Sequence, residues 1–169
     1  MKVWISTVGW SPFAVINPLW AACYFEWENF VPEKVVLLNN QTQDERVKEN
    51  YDLVLTWLIK ILNEYGISEP VIESVDANES NIKEYSHTFQ GVVEKHINDE
   101  IAIDMTPGRK FMSGIAMWYA SQPKSTIAKL YYLHLRDNKY KDAPFIKIPA
   151  GSQRLINIKE IMKKNERKA

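Results

Sequence analysis

An alternation of two periods constrains this chain more than anything else in it. Short runs of β-branched and aromatic residues, apolar on both faces, take turns with longer stretches whose apolar residues recur at helical spacing. Lys2–Val8 (KVWISTV), Lys34–Asn39 (KVVLLN) and residues 71–75, 101–104 and 126–135 read as strands. An apolar helix follows Gly9-Trp10-Ser11-Pro12 and runs to about Trp27, beginning or kinking at Pro18. A long amphipathic helix opens at Thr42 or Gln43, carries Val47, Tyr51, Val54, Leu58 and Ile61 on one face, and stops at Gly66. Residues 78–98 and 109–120 read as two more helices, 144–148 as a short sixth strand, and 153–162 as a last helix before a solvated tail.

Strands that feed helices in turn, and that are apolar on both faces, predict an α/β fold: a Rossmann-like three-layer sandwich with a mostly parallel central sheet. At 169 residues the chain suits one domain. The expected organisation is a Rossmann-like body over 1–150, with 151–169 adding a helix and tail to the same domain. In such folds ligands bind beyond the carboxyl ends of strands, where the strand order reverses. Residues 7–12 and 106–110 are unusual loops at such ends.

The second loop, Thr106-Pro107-Gly108-Arg109-Lys110, places two cations at the start of a buried helix. A helix N-terminus already carries partial positive charge, so each cation costs ~0.3–1 kcal/mol there. A bound phosphate would explain them: Gly108 permits close backbone approach, Thr106 offers a hydroxyl, and Arg109 and Lys110 neutralise charge. The alternative is that both side chains reach solvent or pair with Asp104 or a neighbouring acid. The loop is neither a P-loop nor a dinucleotide fingerprint. The first loop, Ser6-Thr7-Val8-Gly9-Trp10-Ser11-Pro12, supplies three hydroxyls, a permissive glycine and a tryptophan. Trp10 either stacks on a base, worth roughly 1–3 kcal/mol, or packs over the sheet edge. Asn39, Asn40 and Gln41, after the second strand, form a polar turn by composition.

Composition narrows the partners. A formal net charge of +0 argues against a general duplex-DNA binder, which needs a basic face over many phosphates. The one cysteine, Cys23, permits no intrachain disulfide. MKVWISTVGW is not a secretory signal, and no uncharged apolar run reaches the roughly 18 residues of a membrane span. The cytoplasm is therefore the expected location. His87, His96 and His134 form no metal pair, and Asp76 and Asp104, both at strand ends, lack a supporting cluster. Neither a metal nor a cofactor is expected.

Together the two loops resemble those of the CARF family, the CRISPR-associated Rossmann-fold sensors of cyclic oligoadenylates. "STVGWSPF" ends the first strand, and "DMTPGRKFMS" ends the fourth, where the family often has Thr-Gly-Gly-Thr-Lys. Pro107 and Arg109 depart from that pattern; Lys110 and Met112-Ser113 keep it. The resemblance implies a two-fold homodimer with the cyclic ligand across its axis, each subunit giving both loops. Most CARF proteins carry an effector domain; none is expected within these 169 residues. It has no Arg-x(4–6)-His, its Glu166-Arg167-Lys168 lies in the tail, and no winged helix fits after residue 150. A stand-alone member resembles the ring nucleases, which cleave the cyclic messenger and switch type III CRISPR signalling off.

On that resemblance the substrate is cyclic tetra-adenylate, cut without metal by 2′-OH attack to leave a 2′,3′-cyclic phosphate. Ser11 and Lys110 would be catalytic. Thr7, Gly9 and Trp10 would shape the pocket, with Thr106, Pro107, Gly108 and Arg109 holding phosphates and Asn39, Asn40 and Gln41 reading the bases. The alternatives are a binding module that senses or sequesters the ring uncut, and a Rossmann-like domain for another phosphorylated metabolite.

Overall fold

The computed structural model describes residues 1–39 and 45–166. Six strands make one sheet: β1 (Lys2–Val8), β2 (Lys34–Asn39), β3 (Val71–Asp76), β4 (Glu100–Asp104), β5 (Ile127–Leu135) and β6 (Gln153–Asn157). Their order is β3-β2-β1-β4-β5-β6. The first five are parallel, and β6 pairs antiparallel with β5. The fold is the expected Rossmann-like α/β sandwich.

The helices are α1 (Pro12–Tyr24), α2 (Glu45–Glu64), α3 (Ile82–Lys95), α4 (Lys110–Ser121) and α5 (Ile158–Glu166). Val15, Leu19 and Trp20 of α1 pack with Leu58 and Leu62 of α2 on one face of the sheet, over Trp4 and Leu37. Tyr85, Phe89 and Val92 of α3 pack with Met112 and Ala116 of α4 on the other, over Ile5 and Ile103. Alternate residues of β1 thus feed opposite cores, as a sheet covered on both sides requires. The chain moves outward from β1 through β2 to β3, then returns to β4 on the other flank of β1. A crevice therefore opens between the carboxyl ends of β1 and β4, because their following helices leave to opposite faces.

The structure corrects four expectations. α1 begins at Pro12, not Pro18; proline's fixed φ suits a first helical position, and Pro18 is carried within the helix. α3 is shorter than 78–98, because the Asn81 side chain accepts from the Glu84 N–H and sets its start. Residues 144–148 are not a strand but a 3-10 turn, Phe145–Lys147. Buried side chains take up its hydrogen bonds: Asn17 accepts from Phe145 N and donates to Ala143 O, and Gln153 Nε2 donates to the carbonyls of Phe145 and Ile148. The sixth strand is 153–157 instead, so only the end of the expected 153–162 helix is helical. No helix among the described residues is long and apolar enough to cross a membrane.

Candidate functional site

The two loops singled out in the sequence meet at the crevice. A Cβ placed on Gly9 would sit 3.4 Å from Gly108 N, so the backbones are in contact. Gly108 has φ +88°, and a Cβ there would lie 2.8 Å from Met112 Sδ and 3.4 Å from Thr7 Cγ2. Only glycine fits that position. Above the contact lies an open cleft of about 470 Å³, lined by Gly9, Trp10, Ser11, Ala14, Glu79, Thr106, Pro107, Gly108 and Arg109.

Ser11 occupies the N-cap position of α1 but makes no capping bond with its side chain. Its hydroxyl has no partner among the described residues, although serine at an N-cap ordinarily bonds the helix N–H groups. Arg109 is the N-cap residue of α4, in extended conformation, and its N–H donates to Met112 Sδ at 3.3 Å. Two helix N-termini therefore open onto one cleft, each adding partial positive charge. Trp10 is 58% exposed on the cleft wall, with the Arg46 guanidinium 6.0 Å from its ring centre and Asn50 Nδ2 donating to its carbonyl at 3.0 Å.

The two cations at the start of α4 differ in their surroundings. Arg109 reaches Glu79, with Nη2 3.3 Å from Oε1, so a neighbouring acid does hold it, and that acid stands in the cleft. Lys110, the first residue of α4, is exposed and has no ion-pair partner among the described residues. It is not part of the cleft lining. It shares an exposed stripe of α4 with Gly114, Met117 and Trp118, at helical spacing.

Asp104 is the buried support of the second loop. Its carboxylate accepts from Ser6 Oγ and from Thr106 N, each at 2.9 Å. Burial pushes its pKa up to about 7, against the hydrogen bonds of Thr106 and Ser6. Thr106 Oγ1 in turn accepts from Leu133 N at 2.9 Å, tying the loop to β5. Thr7 lies beneath the cleft, its hydroxyl 2.8 Å from that of Tyr85, whose pKa burial raises to about 12. Asn39 ends β2 opposite Val8 and Asp76, away from the cleft lining, and Asn40 and Gln41 lie outside the described residues. No group of three or more His, Cys, Asp or Glu among the described residues is placed to hold a metal.

Seven of the expected residues thus line one cleft: Gly9, Trp10, Ser11, Thr106, Pro107, Gly108 and Arg109. Sequence reasoning missed Glu79, Arg46 and Asn50. Glu79 follows β3 in the turn before α3, and α3 packs on α4 through Tyr85 against Phe111 and Phe89 against Tyr119. That packing carries Glu79 to Arg109.

No protein-family model and no curated protein sequence matches the chain. Among solved structures it is similar to Can2 from Sulfobacillus thermosulfidooxidans, determined in complex with cyclic tetra-adenylate, at TM-score 0.57 and 14% identity over 94% of this chain and 35% of that one. It is also similar to Enterococcus italicus Csm6 bound to cyclic hexa-2′-fluoro-hexa-dAMP, at TM-score 0.56 and 16% identity over 98% of this chain and 44% of that one. A third similar structure, from Vibrio cholerae, gives 0.51 and 13% over 78% and 30%. This chain spans less than half the length of each. At such identities the likeness establishes the fold alone, a Rossmann-like α/β sandwich with a mostly parallel sheet.

Proposed function

We propose that this chain binds cyclic tetra-adenylate in a cleft completed by a second copy of itself, and opens the ring. The observation that carries the reading is the meeting of two strand-end turns, with a serine hydroxyl that makes no capping bond, an arginine and two helix N-termini around one cleft. These are the groups that hold phosphates, and the exposed Trp10 beside them offers a surface for adenine. Likeness in fold to Can2 and Csm6, each determined with a cyclic nucleotide ring, supports the ligand class. A cyclic tetra-adenylate is itself two-fold symmetric, which suits an isologous dimer. The exposed α4 stripe of Gly114, Met117 and Trp118, beside the cleft, is the face on which we place the second copy.

Ring opening needs little beyond positioning. The ribose 2′-oxygen attacks the adjacent phosphorus, the bond to the 5′-oxygen breaks, and a 2′,3′-cyclic phosphate and a 5′-hydroxyl result. Holding the three reacting atoms in line, and neutralising the charge that builds on the phosphoryl oxygens, accelerates this step. Ser11 orients the ribose or phosphate, Arg109 and the Gly108 turn hold the phosphates, and Lys110 stabilises developing charge.

Pure protein incubated with labelled cyclic tetra-adenylate in EDTA will yield linear products ending in 2′,3′-cyclic phosphate. Absence of binding would overturn the reading. Tight binding of a ring that stays intact would instead favour the second reading, a sensor that does not cut. One observation favours that second reading: Lys110 stands outside the cleft lining of its own chain.

A further inference from the structure

A carboxylate in a pocket for a ring of phosphates calls for an explanation, since like charge repels. Glu79 is nevertheless in the cleft wall, partly buried, and in contact with the arginine that would hold a phosphate. We infer that Glu79 accepts the ribose 2′-hydroxyl proton at this site, and is the residue by which the cleft distinguishes ribose from deoxyribose. The inference rests on the ring-opening reading above.

The geometry of the reaction supports it. In a 3′,5′-linked ring, each scissile phosphate hangs from the carbon next to the one bearing the attacking 2′-hydroxyl. A base for that hydroxyl must therefore lie beside the cation that holds the phosphate. Glu79 Oε1 and Arg109 Nη2, 3.3 Å apart, are such a neighbouring pair. The bond between them uses one of the guanidinium's five donors and leaves the rest for phosphate oxygens. The turn that carries Glu79 is held firmly. Asn78 Oδ1 accepts from Ser80 N at 3.0 Å, Asn78 Nδ2 donates to Glu84 Oε2 at 3.0 Å, and Asn81 Oδ1 accepts from Glu84 N at 3.2 Å. A base positioned in this way loses little on substrate binding.

The step balances. The 2′-hydroxyl proton passes to the Glu79 carboxylate as the bond from O2′ to phosphorus forms. The bond from phosphorus to O5′ breaks with its electron pair going to oxygen, O5′ takes a proton from water, and the hydroxide so formed takes the proton from Glu79, which restores water and carboxylate. Nothing is oxidised or reduced. The 2′-hydroxyl is also what marks a nucleotide as RNA.

The test uses cyclic tetra-adenylate and the same ring with fluorine at every 2′ position, against wild type, Glu79→Gln and Glu79→Ala. Binding is measured by calorimetry, cleavage in single turnover, and folding by thermal melting. Wild type will bind the hydroxyl ring about tenfold or more tightly than the fluoro ring, as a hydrogen bond to a charged group provides. Glu79→Ala will erase that preference, and Glu79→Gln will slow cleavage about 10²-fold with its melting temperature kept. Variants that bind both rings more tightly and cleave as fast as wild type would overturn the inference and make Glu79 a mere stand-in for phosphate. Retention of both preference and rate would also overturn it, with the ring-binding site left intact. Failure of wild type to bind either ring would remove the site itself.

Discussion

The two loops of the cleft look alike in sequence and are built differently. The turn after β1 ends in a serine at a helix N-cap that leaves the cap unmade, and its hydroxyl has no partner among the described residues. The turn after β4 is fastened from every side: Asp104 takes the Thr106 N–H, Leu133 donates to the Thr106 hydroxyl, and Glu79 holds Arg109. One loop offers a hydroxyl with no partner among the described residues; the other offers an arginine already paired with an acid. The difference suits their proposed tasks. A hydroxyl that orients ribose needs little support, whereas an arginine set beside a helix N-terminus needs an acid to position it.

The largest effect should come from the second loop, at the cation that no acid among the described residues holds. Lys110→Ala is expected to lower single-turnover cleavage by about 10²–10³-fold, ~3–4 kcal/mol of transition-state stabilisation, with no matching loss of melting temperature. A drop in stability large enough to explain the lost activity would make Lys110 structural. Next comes the glycine contrast between the loops. Gly108→Val should destabilise by ~2–3 kcal/mol in urea unfolding, since its φ is positive and Met112 Sδ blocks the Cβ. Gly9→Ala meets only a 3.4 Å backbone contact and should cost less than ~1 kcal/mol. Equal costs would contradict the difference in bracing.

Asp104 gives a smaller effect with a definite sign. Its folded pKa lies near 7 against an ordinary 3.8, so the folded state binds the proton more tightly. Its contribution to stability is greatest below pH 4, declines as pH rises, and levels off above about 7. The steepest slope is roughly 1.4 kcal/mol per pH unit. Asp104→Asn should flatten that window in urea midpoints measured from pH 4 to 8; an unchanged slope would show that the carboxylate is not buried as described. The smallest effect belongs to the first loop. Ser11→Ala should change stability by less than ~0.5 kcal/mol, where a capping serine would cost ~1, and yet reduce ring cleavage.

The strand-helix alternation was legible because each period follows from side-chain geometry alone. Both loops were legible too, since glycine, hydroxyls and cations after a strand are local signals. Glu79 was not. It reaches Arg109 only because α3 and α4 pack on one face, and nothing within its own turn announces that. An uncompensated pair of cations at a helix start was the one available hint that an acid from another turn was near. The edge of the sheet failed for a similar reason. Residues 144–148 look strand-like, but their backbone is met by the Asn17 side chain from the far end of the chain and by the Gln153 side chain a few residues on. Residues 153–157 gain their strand only by pairing with β5.

The most direct measurement of the central claim is a calorimetric titration of the pure protein with cyclic tetra-adenylate, read for stoichiometry. Two clefts that close on one symmetric ring predict saturation at one ring for every two chains. Saturation at one ring per chain, or no heat at micromolar protein, would contradict a shared cleft.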